Sequence, residues 1–232
     1  MIEFRSVAVV VDGPGDSADV AILAGVDLAL TEARVAVVGP NGSGKSTLAR
    51  LVNGLVLPTA GRVLVDGLDT GRDGAAVRRR VGFVFTDPDA QLVMPTPRED
   101  VALSLRRLRV DAAARAERVR AVLARFGLAA LADVSVHALS GGQKQLLALA
   151  SVLATEPAVL VCDEPTTLLD LRWRRVVDDL LDSLPQQVLL VTHDLDAAAR
   201  ADRVLVVDGG RVVADGAAAA AVDSYRARMA VR

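Results

Sequence analysis

The run GPNGSGKST, Gly39 to Thr47, constrains this chain more than any other stretch: it satisfies G-x-x-x-x-G-K-[ST] and sits between an apolar strand and a helix. Arg34 to Val38 reads as the strand and Lys45 to Asn53 as the helix. Gly39, Gly42 and Gly44, with Pro40, Asn41 and Ser43 between them, let backbone N–H groups curl toward phosphate oxygens, and the helix N-terminus favours their negative charge. Lys45 is placed to reach β and γ phosphates, and Ser46, followed by Thr47, offers a hydroxyl to Mg²⁺. The ligands this loop implies are ATP and Mg²⁺.

Val159 to Cys162 forms a second apolar run and delivers Asp163-Glu164-Pro165 at its end, where ligands of open α/β sheets sit. Neighbouring strand residues point to opposite sides, so the two acids have different tasks. Asp163 can hold Mg²⁺ through water, and Glu164 can take a proton from the attacking water. His193 follows a third such run, Val188 to Thr192, which aims it at the same γ-phosphate region. His137 lacks that context and reads as structural or capping.

Around these motifs the pattern is that of a parallel α/β core. Ala158 to Cys162, Val188 to Thr192 and Arg203 to Val207 are short apolar runs separated by helical segments. Residues 86–156 read as mainly helical, with Val119, Val122, Leu123 and Phe126 at helical spacing and Gly127 placed to end their helix. Ile2 to Val11 and Val26 to Leu30 read as strands of an N-terminal hairpin or meander, joined across Asp12-Gly13-Pro14-Gly15-Asp16, and Arg62 to Val65 as another strand. VLVVDGGRVVADG predicts a hairpin through Gly209-Gly210, and Ala217 to Ala221 opens a terminal helix reaching Tyr225. Trp173, spaced with Val176, Val177 and Leu180, predicts a core-facing stripe.

Composition narrows the classes. A length of 232 residues with 52% hydrophobic content suits one domain over 1–232, with the 86–156 helices as an inserted subdomain. A formal charge of −2 lacks the excess of a dedicated nucleic-acid binder, and Arg78 to Arg80 fits a solvated face. Of 27 basic residues only Lys45 and Lys144 are lysine, and both lie in motifs. The single cysteine, Cys162, fits a small buried residue in a reducing compartment. Charges interrupt every hydrophobic stretch before it could span a bilayer, and the N-terminus carries no export pattern, so the expectation is a cytosolic chain that docks at a membrane.

LSGGQ at Leu139 to Gln143 makes the reading specific. Ser140 and Gln143 have capping-box spacing ahead of a helix over Lys144 to Ala154, so Gly141 and Gly142 can offer N–H groups beside a positive helix end. The run resembles the signature motif of ABC ATPases, and the order of motifs over nearly the whole chain is similar to that family. The resemblance implies a RecA-like parallel-sheet core with an N-terminal antiparallel β subdomain and a helical insertion. It also implies a second ABC ATPase domain, identical or a close paralogue, paired head to tail. Ser140 and Gly142 of one copy would then complete the ATP site on Lys45 and Glu164 of the other. Asp170, in TTLLD, matches the loop crossing between subunits, and His193 the switch histidine.

This sequence departs from that pattern twice. Thr86 stands after the strand read as Gly82 to Phe85, where the family carries a glutamine that senses Mg²⁺ and water; a threonine reaches only through water or a shifted loop. The N-terminal region has no aromatic where the family stacks adenine, and Val11 is the nearest match. Gln91 is read as part of a docking surface.

FTDPDAQLVMPTPREDV, Phe85 to Val101, resembles a segment of energy-coupling-factor importers, and with EPTTLLD it is most similar to the biotin-importer ATPases among them. That likeness implies an integral membrane coupling subunit whose arginine-bearing helix enters a groove lined by Leu92, Val93 and Met94, near Asp87, Asp89 and Glu99. It also implies a separate substrate-binding membrane subunit and a peripheral place on the cytoplasmic face. An ordinary surface loop stays open as the alternative. A cobalt or nickel importer ATPase, a non-transport ABC ATPase acting on DNA and a binding-only regulatory subunit are the competing functions. The interval between Lys45 and Leu139 holds neither sustained heptads nor a cysteine cluster, which disfavours the DNA reading.

Overall fold

The computed structural model describes residues 1–13, 18–107 and 110–230. Positions 14–16 of the turn-rich run after β1 lie outside the described residues. The chain opens with β1 (Ile2–Val11), β2 (Val20–Leu30) and β3 (Arg34–Val38), then α1 (Lys45–Val52), β4 (Ala60–Val65) and β5 (Leu68–Asp69). There follow α2 (Gly74–Arg80), β6 (Val81–Val84), α3 (Pro97–Ser104), α4 (Ala112–Arg125) and α5 (Gly141–Leu153). β7 (Val159–Asp163), α6 (Leu171–Ser183), β8 (Gln187–Val191), α7 (Leu195–Ala198), β9 (Arg203–Asp208), β10 (Arg211–Ala217) and α8 (Ala218–Ala230) complete it.

Two sheets result. A four-stranded antiparallel sheet has the order β2-β1-β4-β5, and a six-stranded sheet the order β10-β9-β3-β8-β7-β6. In the larger sheet only the β9–β10 pair is antiparallel, closing the hairpin expected at Gly209-Gly210. The N-terminal meander is thus completed by β4 and β5, which return to it after α1. β2 begins at Val20, earlier than its sequence pattern suggests, because the β1–β2 ladder shifts register between Phe4 and Val7, Val7 and Val9, and Val9 and Val10. Each shift breaks the alternation by which a strand is recognised.

The parallel strands are buried on both faces, as their continuous apolar runs require. Val35, Val37, Val159, Val161, Leu189 and Val191 face a core shared with α1 and the antiparallel sheet. Leu160, Cys162 and Val188 point the other way, into a core built with α3, α4, α5 and α6. Alternation along each strand therefore welds the helical segment to the sheet that carries the acids. On α6 the expected stripe is partly realised: Val177 is buried and Trp173 and Leu180 are half-buried, while Val176 is exposed.

Candidate functional site

Strand order sets the site. The neighbouring strands β3, β8, β7 and β6 run parallel, so the segments leaving their carboxyl ends lie side by side. These segments carry the glycine-rich loop, His193, the Asp163-Glu164 pair and Thr86. All four motif positions read from the sequence as separate strand ends come together in one row.

The loop has no room for side chains at its base. Gly39 has φ +148°, and a Cβ there would lie 2.0 Å from the Val207 carbonyl oxygen. Lys45, buried at the start of α1, donates from Nζ to the Gly39 and Pro40 carbonyls at 2.9 and 2.8 Å, so its ammonium lies folded into the loop. Burial lowers its pKa, opposed by the negative charges of Glu164 and Asp163. Ile22 and the residues from Gly42 to Thr47 line a cleft of about 250 Å³. Val11, paired with Val20 at the end of β1, is exposed.

Asp163 is 2% exposed. Its Oδ1 accepts from Ser46 Oγ at 2.9 Å, and its Oδ2 lies 3.5 Å from Arg50 Nη2. Burial raises its pKa, opposed by the Ser46 hydrogen bond and the Arg50 charge. Arg50 escaped notice in the sequence, although it stands four residues after Ser46 and so on the same helical face. Thr86 Oγ1 donates to the Asp163 carbonyl at 2.7 Å. Gln91, expected on a docking surface, is half-buried and accepts from the Phe85 N–H at 3.2 Å. Two successive residues after β6 are thereby held, Phe85 by Gln91 and Thr86 by the Asp163 backbone.

Glu164 adopts φ 54°, a left-handed conformation that few side chains occupy, and its N–H donates to the Val191 carbonyl at 2.9 Å. Its Oε2 accepts from Thr167 Oγ1 at 2.8 Å and lies 2.7 Å from His193 Nδ1. An ionised carboxylate only accepts, so Nδ1 carries the proton. Among the described residues no partner is recorded for Oε1, which leaves it able to receive a proton from water.

The run from Ser140 to Gln143 lies at the start of α5. Ser140 Oγ accepts from the Gln143 N–H while Gln143 Oε1 accepts from the Ser140 N–H, completing the capping box that the spacing predicted. Asp170 caps α6 by accepting from the Trp173 N–H at 2.9 Å. Among the described residues no hydrogen bond or ion pair joins residues 140–143 to residues 39–47.

The segment after Thr86 carries the residues expected to meet a partner. Asp89 pairs with Lys144 Nζ at 2.7 Å, and Glu99 accepts from Thr96 Oγ1 at 2.8 Å. Met94 and Glu99 share a cleft of about 200 Å³ with Arg106 and Arg115. A larger groove of about 560 Å³ beside it carries Arg78, Arg79, Arg106 and Arg107 and no carboxylate. Among the described residues no three His, Cys, Asp or Glu side chains cluster to hold a metal, and no helix is long and apolar enough to cross a membrane.

Comparison with known proteins agrees with this geometry. Residues 23–167 match the family model described as ABC transporter. The chain is 49% identical over 199 residues to the biotin transport ATP-binding protein BioM of Rhizobium etli, covering 86% of this chain and 88% of that protein. It is 43% identical over 190 residues to the energy-coupling factor transporter ATP-binding protein EcfA1 of Halalkalibacterium halodurans, covering 80% and 68%. A solved structure of the ATP-binding cassette MJ0796, a dimer in a post-hydrolysis state bound to ADP and Pi, superposes with a TM-score of 0.81 at 29% identity, covering 94% of this chain and 99% of that one.

Proposed function

Because this chain belongs to the ABC transporter family of ATP-binding proteins, we propose that it is the ATP-hydrolysing subunit of an energy-coupling-factor importer, with biotin as the cargo. The observation that carries the reading is the row of strand ends joining Lys45, Ser46, Asp163, Glu164 and His193 in one chain, with the capped turn Ser140 to Gln143 outside it. Residues 1–232 work as one ABC ATPase domain, with residues 86–156 as its inserted helical part.

In this reading the backbone from Gly39 to Thr47 cradles the phosphates, and Lys45 exchanges the Gly39 and Pro40 carbonyls for β- and γ-phosphate oxygens. Ser46 Oγ and the Asp163 carboxylate, hard oxygen donors already 2.9 Å apart, suit Mg²⁺, which when bound neutralises charge on the β and γ oxygens. Thr86 holds the Asp163 backbone and reaches that ion only through water. Glu164 Oε1 takes a proton from water as the water oxygen bonds to the γ-phosphorus and the bond to the ADP oxygen breaks. His193 orients Glu164 through Nδ1. Ser140, Gly141, Gly142 and Gln143 of a second copy, or of a close paralogue, close over the γ-phosphate, with Asp170 crossing between the two.

Docking to a membrane coupling subunit is supported by the exposed Val93 and by the Glu99 carboxylate beside it, which an incoming arginine can meet. The groove with four arginines repels such a side chain and is not the docking site. The place of work is the cytoplasmic face of the membrane. Co-expression with a coupling subunit and a biotin-binding membrane subunit tests the assignment. Retention of this chain by the purified membrane complex, and ATP-dependent uptake of labelled biotin that Glu164→Gln abolishes, are expected. A chain that never associates contradicts the importer, and association with uptake of a metal ion instead contradicts the cargo.

A further inference from the structure

Trp173 is the only tryptophan in the chain. Its backbone N–H is the one that Asp170 caps, so the two residues share the first turn of α6. Its indole lies against the first turn of α5. A Cβ on Gly142 would meet Trp173 Cδ2, Cγ and Cε2 at 2.1, 2.2 and 2.5 Å, closer than non-bonded carbons approach. The same atom on Gly141 would meet nothing within 4 Å. Adjacent glycines thus differ: Gly141 opens to solvent, whereas Gly142 is buried beneath the ring.

The capping box occupies the N–H groups of Ser140 and Gln143, and the Lys144 N–H donates to the Ser140 carbonyl. Helix geometry leaves the N–H groups of Gly141 and Gly142 with no acceptor inside α5. Their height is set by what the turn rests on, and on one side that is the indole. A planar ring with two side-chain torsions makes a stiff support at small entropic cost.

We infer that Trp173 is a positioning residue that ties Asp170 to the signature turn and holds the Gly141 and Gly142 N–H groups where they meet the γ-phosphate bound to a second copy. The inference rests on the composite site proposed above. Trp173 touches neither nucleotide nor reacting atoms and acts through Gly142. Displacing reacting or orienting groups by about 1 Å lowers rates by about a hundredfold, so the effect falls on turnover. Nucleotide binding by the chain's own loop, which has no recorded bond to the signature turn, stays intact.

Trp173→Ala, Trp173→Phe and Ser140→Ala in the full chain test this, with turnover followed against ATP concentration and a fluorescent ATP analogue titrated onto single protomers. Trp173→Ala is expected to bind the analogue within about twofold of the unaltered chain and to lose about tenfold to a hundredfold in kcat, with Trp173→Phe restoring most of it. If Trp173→Ala does not fold, Trp173→Leu, which keeps apolar volume without the flat ring, replaces it under the same expectation. Unchanged kcat in Trp173→Ala beside a loss in Ser140→Ala overturns this inference alone. Unchanged kcat in both overturns the composite site and the inference with it. Analogue binding lost in step with kcat, or no rescue by Phe, shows general packing and also overturns it.

Discussion

Glu164 Oε2 lies 2.7 Å from His193 Nδ1, a contact that joins the segments leaving two neighbouring parallel strands, β7 and β8. Since Nδ1 donates, the neutral ring keeps a lone pair at Nε2. A bond donated from Nε2 to a phosphate oxygen therefore requires the ring to leave Glu164 or to take a second proton. With Thr167 also holding Oε2, the base is oriented even if the histidine departs. His193→Ala is expected to keep ATP binding and lower kcat by about tenfold or more, within the span attributed to oriented general bases. Steady-state turnover checks it, and an unaltered kcat removes His193 from the machinery.

The Thr86 hydroxyl gives the Asp163 carbonyl a 2.7 Å bond in a half-buried setting. Thr86→Val keeps the shape and removes the donor, so it is expected to lower unfolding stability by about 1 kcal/mol and to reduce turnover. Thr86→Ser restores both. Denaturant melts beside ATPase assays read the two effects separately.

Lys144 and Asp89 form an ion pair between α5 and the segment after β6, with Asp89 56% exposed. Exposed pairs contribute little to stability, roughly 0.5 kcal/mol here after solvent screening. Asp89→Lys sets two ammonium groups face to face on the proposed docking side. The expected result is weaker capture of the membrane partner, measured by pull-down in detergent, with a melting temperature close to that of the unaltered chain.

Cys162 is fully buried on β7, and burial beside Asp163 pushes its thiol up. A thiol that cannot ionise does not react, so the native chain is expected to resist maleimide and to label only after unfolding. Labelling rates with and without ATP then report how far nucleotide suppresses opening of the core.

Much of this was legible because the chemistry sits where pattern is strongest. Apolar runs ending at Gly39, Asp163 and His193 mark parallel strands and their carboxyl ends together, and Ser140 with Gln143 announces its helix by cap spacing alone. The early start of β2 was hidden because bulges interrupt its alternation. The bond from Phe85 to Gln91 and the pairing of Lys144 with Asp89 were hidden for another reason. Both join residues distant in the chain or freed by a loop, and no periodicity encodes such contacts. Trp173 carried a core-like spacing, yet its particular neighbour, Gly142, is fixed only by how α6 meets α5.

In the composite site proposed above, the Lys45 loop of one chain and the Ser140 turn of another close on one ATP and hydrolyse it. Light scattering on Glu164→Gln, with and without saturating MgATP, tests this most directly when paired with its phosphate release. The expected result is a mass that doubles only with MgATP and release slowed at least about a hundredfold. A mass that stays single at saturation, or release at the unaltered rate, would contradict it.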